Sequence, residues 1–373
     1  MLSLTVYRPN SSASSVEDYL RVGVLGEDAN ALEDYYLEDG QADAAFVGAL
    51  LPRLGVGEDY NSEDFNRLFH GEDAQGKPLT PRRTSPKKPQ KEASPTRRPG
   101  WDLTFSAPKS VSVAWGVASP ELQRAIEQAQ DQAVKTAFSY LERHFNTVSV
   151  GRGVRNEDGT FTVQTEKAKL AAATFRHGSS REQDPDLHSH LVLFNLAERA
   201  DGKLLSVNGA DFYARKKELG AIYRVALAHG LKELGFRIER DRFAFAIFGI
   251  TPEAQQHFSQ RRQQIEKALA VTRYQSAKAA EQAALATREG KQDLPPELLK
   301  AQWQSRAQAY GLSAEGIEAL RVGAEKNPEN TPDPLALESL LQNITEFESA
   351  VKDSKVREII ATQAQGLLDV TQT

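Results

Sequence analysis

The chain has 373 residues, enough to bury a sizeable core and, by length alone, to form about two domains. It contains no cysteine, which excludes disulfides and thiolate metal ligands, and no apolar run long enough for a secretory core or a bilayer span, so a cytoplasmic location is expected. The net charge of −5 looks unfavourable for binding nucleic acid, but phosphate contact depends on local basic stripes rather than on the total.

In chain order, Leu2, Leu4 and Val6 alternate with Ser3, Thr5 and Tyr7, the period of a half-buried strand. A helix is expected around Ser15 to Leu20, including Tyr19, and a tyrosine pair, Tyr35 and Tyr36, follows in LEDYYLEDG. Tyrosine is a common packing residue, so these positions carry little meaning by themselves. The stretch GEDAQGKP, residues 71 to 78, is a near miss to a phosphate-binding loop. Pro78 stands where a hydroxyl must hold Mg²⁺, and the motif is rejected as a nucleotide site.

Residues 77 to 98 carry Lys77, Arg82, Arg83, Lys87, Lys88, Lys91, Arg97 and Arg98 against the single acid Glu92, with five prolines interleaved. Proline at that density prevents regular structure. The segment reads either as a phosphate-tracking basic loop or as a solubilising spacer. In WDLTFSAPKSVSVAW, residues 101 to 115, Asp102 falls on the polar face of a strand, where it can end the strand or serve a site.

Ser119, Pro120 and Glu121 form a strong helix start, and Leu122, Ile126, Ala129, Ala133, Ala137, Leu141 and Phe145 recur at helical spacing. His144 near that helix's end suits a charge partner better than a ligand. A hairpin is expected from Val148 to Val163 about the Asn156 to Gly159 turn.

The stretch FRHGSSREQDPDLHSHLVLFN, residues 175 to 195, holds three of the seven histidines. His188 and His190 lie two apart in an apolar run, so both rings project from one face of a strand. His177 precedes a polar Asp-Pro turn and can stand beside them on a neighbouring antiparallel strand. A His-x-His pair can be mere chance, but three neutral nitrogens on a rigid sheet suit a divalent cation and leave positions open for water or phosphate.

Farther on, a helix over 213 to 234 is expected to include His229 in a structural role. Strands follow in FRIERDRFAFAIFGI, and a long helix starting at Thr251 carries Arg261 and Arg262. Polar helices around Arg288, Lys291 and Trp303 suggest a lid rather than a core. NPENTPDP, residues 327 to 334, reads as a linker before a last amphipathic piece, Leu335 to Leu368.

Three of these stretches resemble the MobF (TrwC-like) conjugative relaxases of the HUH endonuclease superfamily. They are the His, polar turn, Asp-Pro, Leu, His-x-His pattern, DLTFSAPKSVS, and the tyrosine pair before an acidic Asp-Gly turn. The resemblance runs to roughly residue 313 and implies residues 1–313 as relaxase domain, with 314–373 as linker and helical tail leading towards a helicase.

The fold expected is α+β: an antiparallel sheet bearing the histidines, helices packed on its other face, and helical fingers towards the C-terminus. The resemblance further implies a site- and strand-specific single-stranded DNA endonuclease and strand transferase. Tyr19, Tyr35 and Tyr36 would be nucleophiles, Asp102 proton acceptor and histidine orienter, and His177, His188 and His190 the metal ligands. The metal would be Mg²⁺ or Mn²⁺, with Zn²⁺ or Ni²⁺ as alternatives. Arg82, Arg83, Lys87, Lys88, Arg97, Arg98, Lys109 and Arg181 are the candidate DNA contacts.

The partner implied is single-stranded transfer-origin DNA with an adjacent hairpin, together with accessory relaxosome and secretion coupling proteins. A rolling-circle replication initiator and a non-enzymatic, metal-stabilised origin-binding module remain the alternatives.

Overall fold

The computed structural model describes residues 1–8, 11–22, 44–80, 98–156, 159, 161–180, 182–241, 244–271, 296–321 and 352–366. The chain begins with β1 (Leu2–Val6), α1 (Ala13–Val22), β2 (Ala44–Val47), α2 (Leu51–Leu54) and α3 (Ser62–His70). It continues through β3 (Gly100–Ser106), α4 (Lys109–Val117), α5 (Pro120–His144), β4 (Val148–Arg155), β5 (Phe161–Glu166), β6 (Lys169–Ser179), β7 (Pro185–Glu198) and β8 (Leu204–Leu205). The last part comprises α6 (Ala210–Ala214), α7 (Lys216–Glu233), β9 (Ile238–Asp241), β10 (Ala244–Ile247), α8 (Pro252–His257), α9 (Gln260–Val271), α10 (Pro296–Gln308), α11 (Ala314–Ala319) and α12 (Asp353–Ala364).

Among the described residues the main sheet has the order β1-β3-β7-β6-β2, with β8 beside β7, and every pairing is antiparallel. This is the expected α+β architecture. Leu103, Phe105, Leu191 and Leu193 face the larger core, which contains Ile126, Val134, Phe138 and Leu141 of α5 and Ile222, Leu227 and Leu231 of α7. The helix start at Ser119 is as expected, its Oγ accepting from Leu122 N at 3.3 Å. The histidine face is not bare: Phe46, Phe175, Val192 and Phe194 on it form a second core with Leu20 of α1 and Phe65, Leu68 and Phe69 of α3.

Three long-range contacts alter the expected elements. The helix foreseen over 213 to 234 breaks at Arg215, whose guanidinium bonds Glu218 at 2.6 and 2.8 Å and lies 4.1 Å over the Phe145 ring. The long helix from Thr251 is likewise two helices, because Gln260 N–H donates to Asp184 Oδ2 at 2.7 Å and starts a new one. Trp303 does not belong to a lid: it is buried in the larger core, 5.7 Å from the Trp115 ring. Arg288 and Lys291 lie outside the described residues.

Packing also runs on without a break at residue 313, since Ile317, Ala361 and Ala364 join the same core and Lys232 Nζ donates to Gly366 O at 3.0 Å. At the rejected phosphate-loop motif, Asp73 Oδ1 accepts from Gln75 N and Lys77 N at 3.0 and 2.8 Å. The loop's own carboxylate thus takes the amides that a phosphate would need. No helix among the described residues is long and apolar enough to cross a membrane.

One buried polar group ties the layers together. Gln130 of α5 donates to Phe105 O at 3.2 Å and Ser189 Oγ at 3.1 Å, and accepts from Tyr223 Oη at 2.6 Å. Gln130→Leu strands these partners away from water and is expected to cost about 2 to 4 kcal/mol. The check is a lower urea midpoint at unchanged slope.

Candidate metal centre

The β6–β7 register sets His177 directly opposite His188, while His190 lies opposite Phe175 on β6 and Thr104 on β3. Directly paired residues share a face, so all three imidazoles gather on one side of the sheet. Ring centroids are 4.9 to 5.3 Å apart, and one nitrogen from each ring lies within 4.8 Å of the others. The sequence placed this triad correctly.

Hydrogen bonds set which nitrogen of a ring carries the proton. His190 Nδ1 donates to Asp102 Oδ2 at 2.8 Å, and His188 Nδ1 donates to the Asp186 carbonyl at 2.7 Å. Each bond fixes the proton on Nδ1 and leaves Nε2 as a lone-pair donor, the usual brace of a metal-binding histidine. Asp102 therefore stands where an orienting carboxylate must stand. Its Oδ1 lies 3.4 Å from Thr104 Oγ1 and is only loosely held.

Desolvation by burial lowers the His188 pKa below its ordinary value, with His190 acting in the same sense and Asp186 opposing. His188 is thus neutral and able to ligate at physiological pH. The donor set fits a borderline divalent metal: three imidazole nitrogens from rigid strands and no thiolate.

The last turn of α1 leans on this centre, with the Leu20 carbonyl 2.5 Å from His177 Nε2. Glu17 of the same helix accepts from Tyr60 Oη at 2.6 Å and Asn66 Nδ2 at 3.1 Å, anchoring α1 to α3 and the loop before it. Tyr19 therefore lies in a helix held against the triad, although its side chain is outside the described residues. Tyr35, Tyr36, Arg82, Arg83, Lys87, Lys88, Arg97 and Arg181 also lie outside them.

Arg98 is exposed, while Lys109 is tied to the start of β7, donating to Pro185 O at 2.9 Å and lying 3.4 Å from Asp186 Oδ1. His144 stacks on Tyr140 at 4.3 Å and His229 pairs with Glu233 at 3.5 Å, so neither joins the cluster. Sequence reasoning missed Thr104, Asp186 and the Leu20 carbonyl. The first was legible, since it shares the polar face of Asp102 two residues away. The last carries no side-chain signal at all.

Sheet, triad and bracing carboxylate together define a relaxase-type palm. A family model described as TrwC relaxase matches residues 13–310, and the chain belongs to that family. It is 28% identical over 358 residues to the multifunctional conjugation protein TraI of Escherichia coli strain K12, an alignment that covers 92% of this chain but 19% of that protein. A second Escherichia coli TraI is 29% identical over 87% of this chain and 18% of its own length. The chain thus spans about a fifth of the curated relatives it matches.

Among solved structures, conjugative relaxase TrwC in complex with oriT DNA, copper-bound, superposes with a TM-score of 0.68 at 28% identity, covering 84% of this chain and all of that one. TrwC complexed with a 27-mer comprising the recognition hairpin and the cleavage site gives 0.63 at 27% identity, with the same coverage.

Asp102→Asn keeps the shape but loses the charge behind His190, and Mn²⁺ affinity by calorimetry is expected to fall about 10- to 100-fold. The metal-free chain should also lose stability as pH falls. Folding depresses the His188 pKa, so below the unfolded value near ~6.5 the unfolded chain takes up a proton that the folded chain resists. Urea midpoints at neutral and mildly acidic pH should therefore differ less in His188→Gln than in the wild type.

Proposed function

We propose that this chain is a site- and strand-specific single-stranded DNA endonuclease and strand transferase, nicking plasmid transfer-origin DNA through a 5′-phosphotyrosine intermediate in conjugation. The observation that carries the reading is the histidine triad on a TrwC-family fold, braced by Asp102 and abutted by the helix that contains Tyr19.

A tyrosine hydroxyl has a pKa near ~10, so about one in a thousand is ionised at neutral pH and the site must assist its deprotonation. Asp102 serves this need through its loosely held Oδ1, while Oδ2 keeps His190 oriented. When held by His177, His188 and His190, a divalent ion supplies Lewis-acid polarisation of a nonbridging oxygen on the scissile phosphate. The tyrosine oxygen forms its bond to phosphorus as the bond to the 3′ oxygen breaks, and that oxygen leaves as a 3′-hydroxyl by taking the proton that Asp102 received from the tyrosine. The phosphodiester energy is retained, so the step reverses and permits strand transfer.

Tyr19 takes the first cleavage and Tyr35 or Tyr36 the second. Arg82, Arg83, Lys87, Lys88, Arg97 and Arg98 of the basic loop, with Lys109 and Arg181, track the phosphates. The substrate is an origin strand with an adjacent hairpin, a reading supported by likeness to TrwC solved with such DNA. Accessory relaxosome and coupling proteins are the further partners, and the cytoplasm is the site of action. Imidazole ligands favour Zn²⁺ or Ni²⁺ by affinity, whereas cellular abundance favours Mg²⁺ or Mn²⁺.

Trapping on a labelled suicide oligonucleotide tests the reading. The wild type should form a covalent adduct that peptide mapping places on Tyr19. Tyr19→Phe should bind DNA within about twofold of wild type yet form no initial adduct, as expected for loss of a nucleophile alone. His188→Ala with His190→Ala should abolish the adduct while circular dichroism stays unchanged. An adduct on Tyr35 or Tyr36 in the wild type, with normal cleavage by Tyr19→Phe, would reassign the first step.

A further inference from the structure

The turn joining β6 to β7 is held far more firmly than its polar, surface-like sequence suggests. Asp184 within it is 1% exposed. Its carboxylate accepts from Gln260 N at 2.7 Å, Gln260 Nε2 at 2.9 Å and Arg306 Nη2 at 2.8 Å. Its backbone closes the turn as well: Ser180 N donates to Asp184 O at 2.9 Å, and Asp184 N donates to Ser180 Oγ at 3.1 Å.

The neighbours are gripped too. Gln183 has φ of 58°, the one non-glycine residue with positive φ among those described, and its carbonyl accepts from Trp303 Nε1 at 2.6 Å. That conformation is costly for a residue with a side chain and persists only where the surroundings over-determine it. Arg306 is itself fixed, lying 4.6 Å over the Phe258 ring and donating to the His257 carbonyl at 3.2 Å.

We infer that Asp184 is a positioning residue of the three-histidine centre: held by Gln260 and Arg306, it sets the turn that holds His177 and His188 in register. The inference rests on the metal reading above and deepens it. A buried carboxylate that only stabilised the fold could sit anywhere in the core. This one lies between two of the three ligands, just beyond the ladder irregularity between His177 and Ser179. Its donors, the neutral amides of Gln260 and the guanidinium of Arg306, come from α9 and α10, so helices remote in sequence set the width of the metal site. Asparagine cannot substitute fully, because in either orientation its amide hydrogens face a donor, Gln260 N in one and Gln260 Nε2 with Arg306 Nη2 in the other.

The test uses the full chain, with Mn²⁺ titrated calorimetrically and amide exchange of residues 182 to 188 followed in the metal-free protein. Asp184→Asn should lower Mn²⁺ affinity about 10- to 100-fold and speed exchange in the turn. Gln260→Ala, which spares the backbone donor, should lower it less. Asp201→Asn is the control, since it removes an Arg199-paired carboxylate from the turn at the other end of β7, and it should change neither readout.

Mn²⁺ affinity within twofold of wild type in folded Asp184→Asn overturns the inference, as does an equal loss in Asp201→Asn. If Asp184→Asn does not fold, Arg306→Lys replaces it, with a several-fold loss expected and an unchanged affinity counting against the proposal. A wild-type chain that takes up no Mn²⁺ refutes the metal reading itself. The exchange measurement then decides the role of Asp184 in the turn: faster exchange supports it and unchanged exchange overturns it.

Discussion

The centre depends on the pairing of β6 with β7. Side chains alternate along a strand with a period of two, so a one-residue slip would send His177 to the opposite face from His188 and His190 and dissolve the cluster. The register is fixed from both sides. On one face Ser189 is bound by the buried amide of Gln130, and on the other Phe175, Val192 and Phe194 pack against α1 and α3. Gly178, immediately after the first ligand, leaves no room for drift, since a Cβ there would come within 2.1 Å of the Trp115 ring.

Much of this was legible in the sequence because period and turn chemistry are local. The His-x-His spacing and the preceding Asp-Pro turn were enough to place three imidazoles on one face, and alternation put Asp102 on the polar face of its own strand, which the β3–β7 register makes the histidine face. The N-cap at Ser119 announced the long helix for a similarly local reason. What escaped lies in contacts that join distant segments. Nothing near Thr251 shows that its helix must restart at Gln260, because the capping carboxylate is Asp184. Nothing in the polar run around Trp303 shows that its indole enters the core. Composition counts polar neighbours, whereas burial depends on the one face that meets α4.

The electrostatics follow from the same geometry. Imidazoles on a half-covered sheet need partners for their second nitrogens, and the strands supply one carboxylate and one carbonyl, Asp102 and Asp186. Such bracing fixes ring orientation before any ion arrives, so binding costs little further ordering. On the same face of the sheet, Ser3 and Thr5 of β1 are exposed.

Burial along β7 bears on how such a protein can diversify. From Ser189 to Ala197 every residue is buried, where a sheet with one solvated face would alternate. Each position in that run is answerable to one core or the other, and a substitution that moved a ligand along the strand would have to repack both at once. Evolutionary change in what the protein recognises is therefore channelled away from this strand and into the surrounding helices and loops. The two-sided burial makes β7 the part of the sheet least able to accept change.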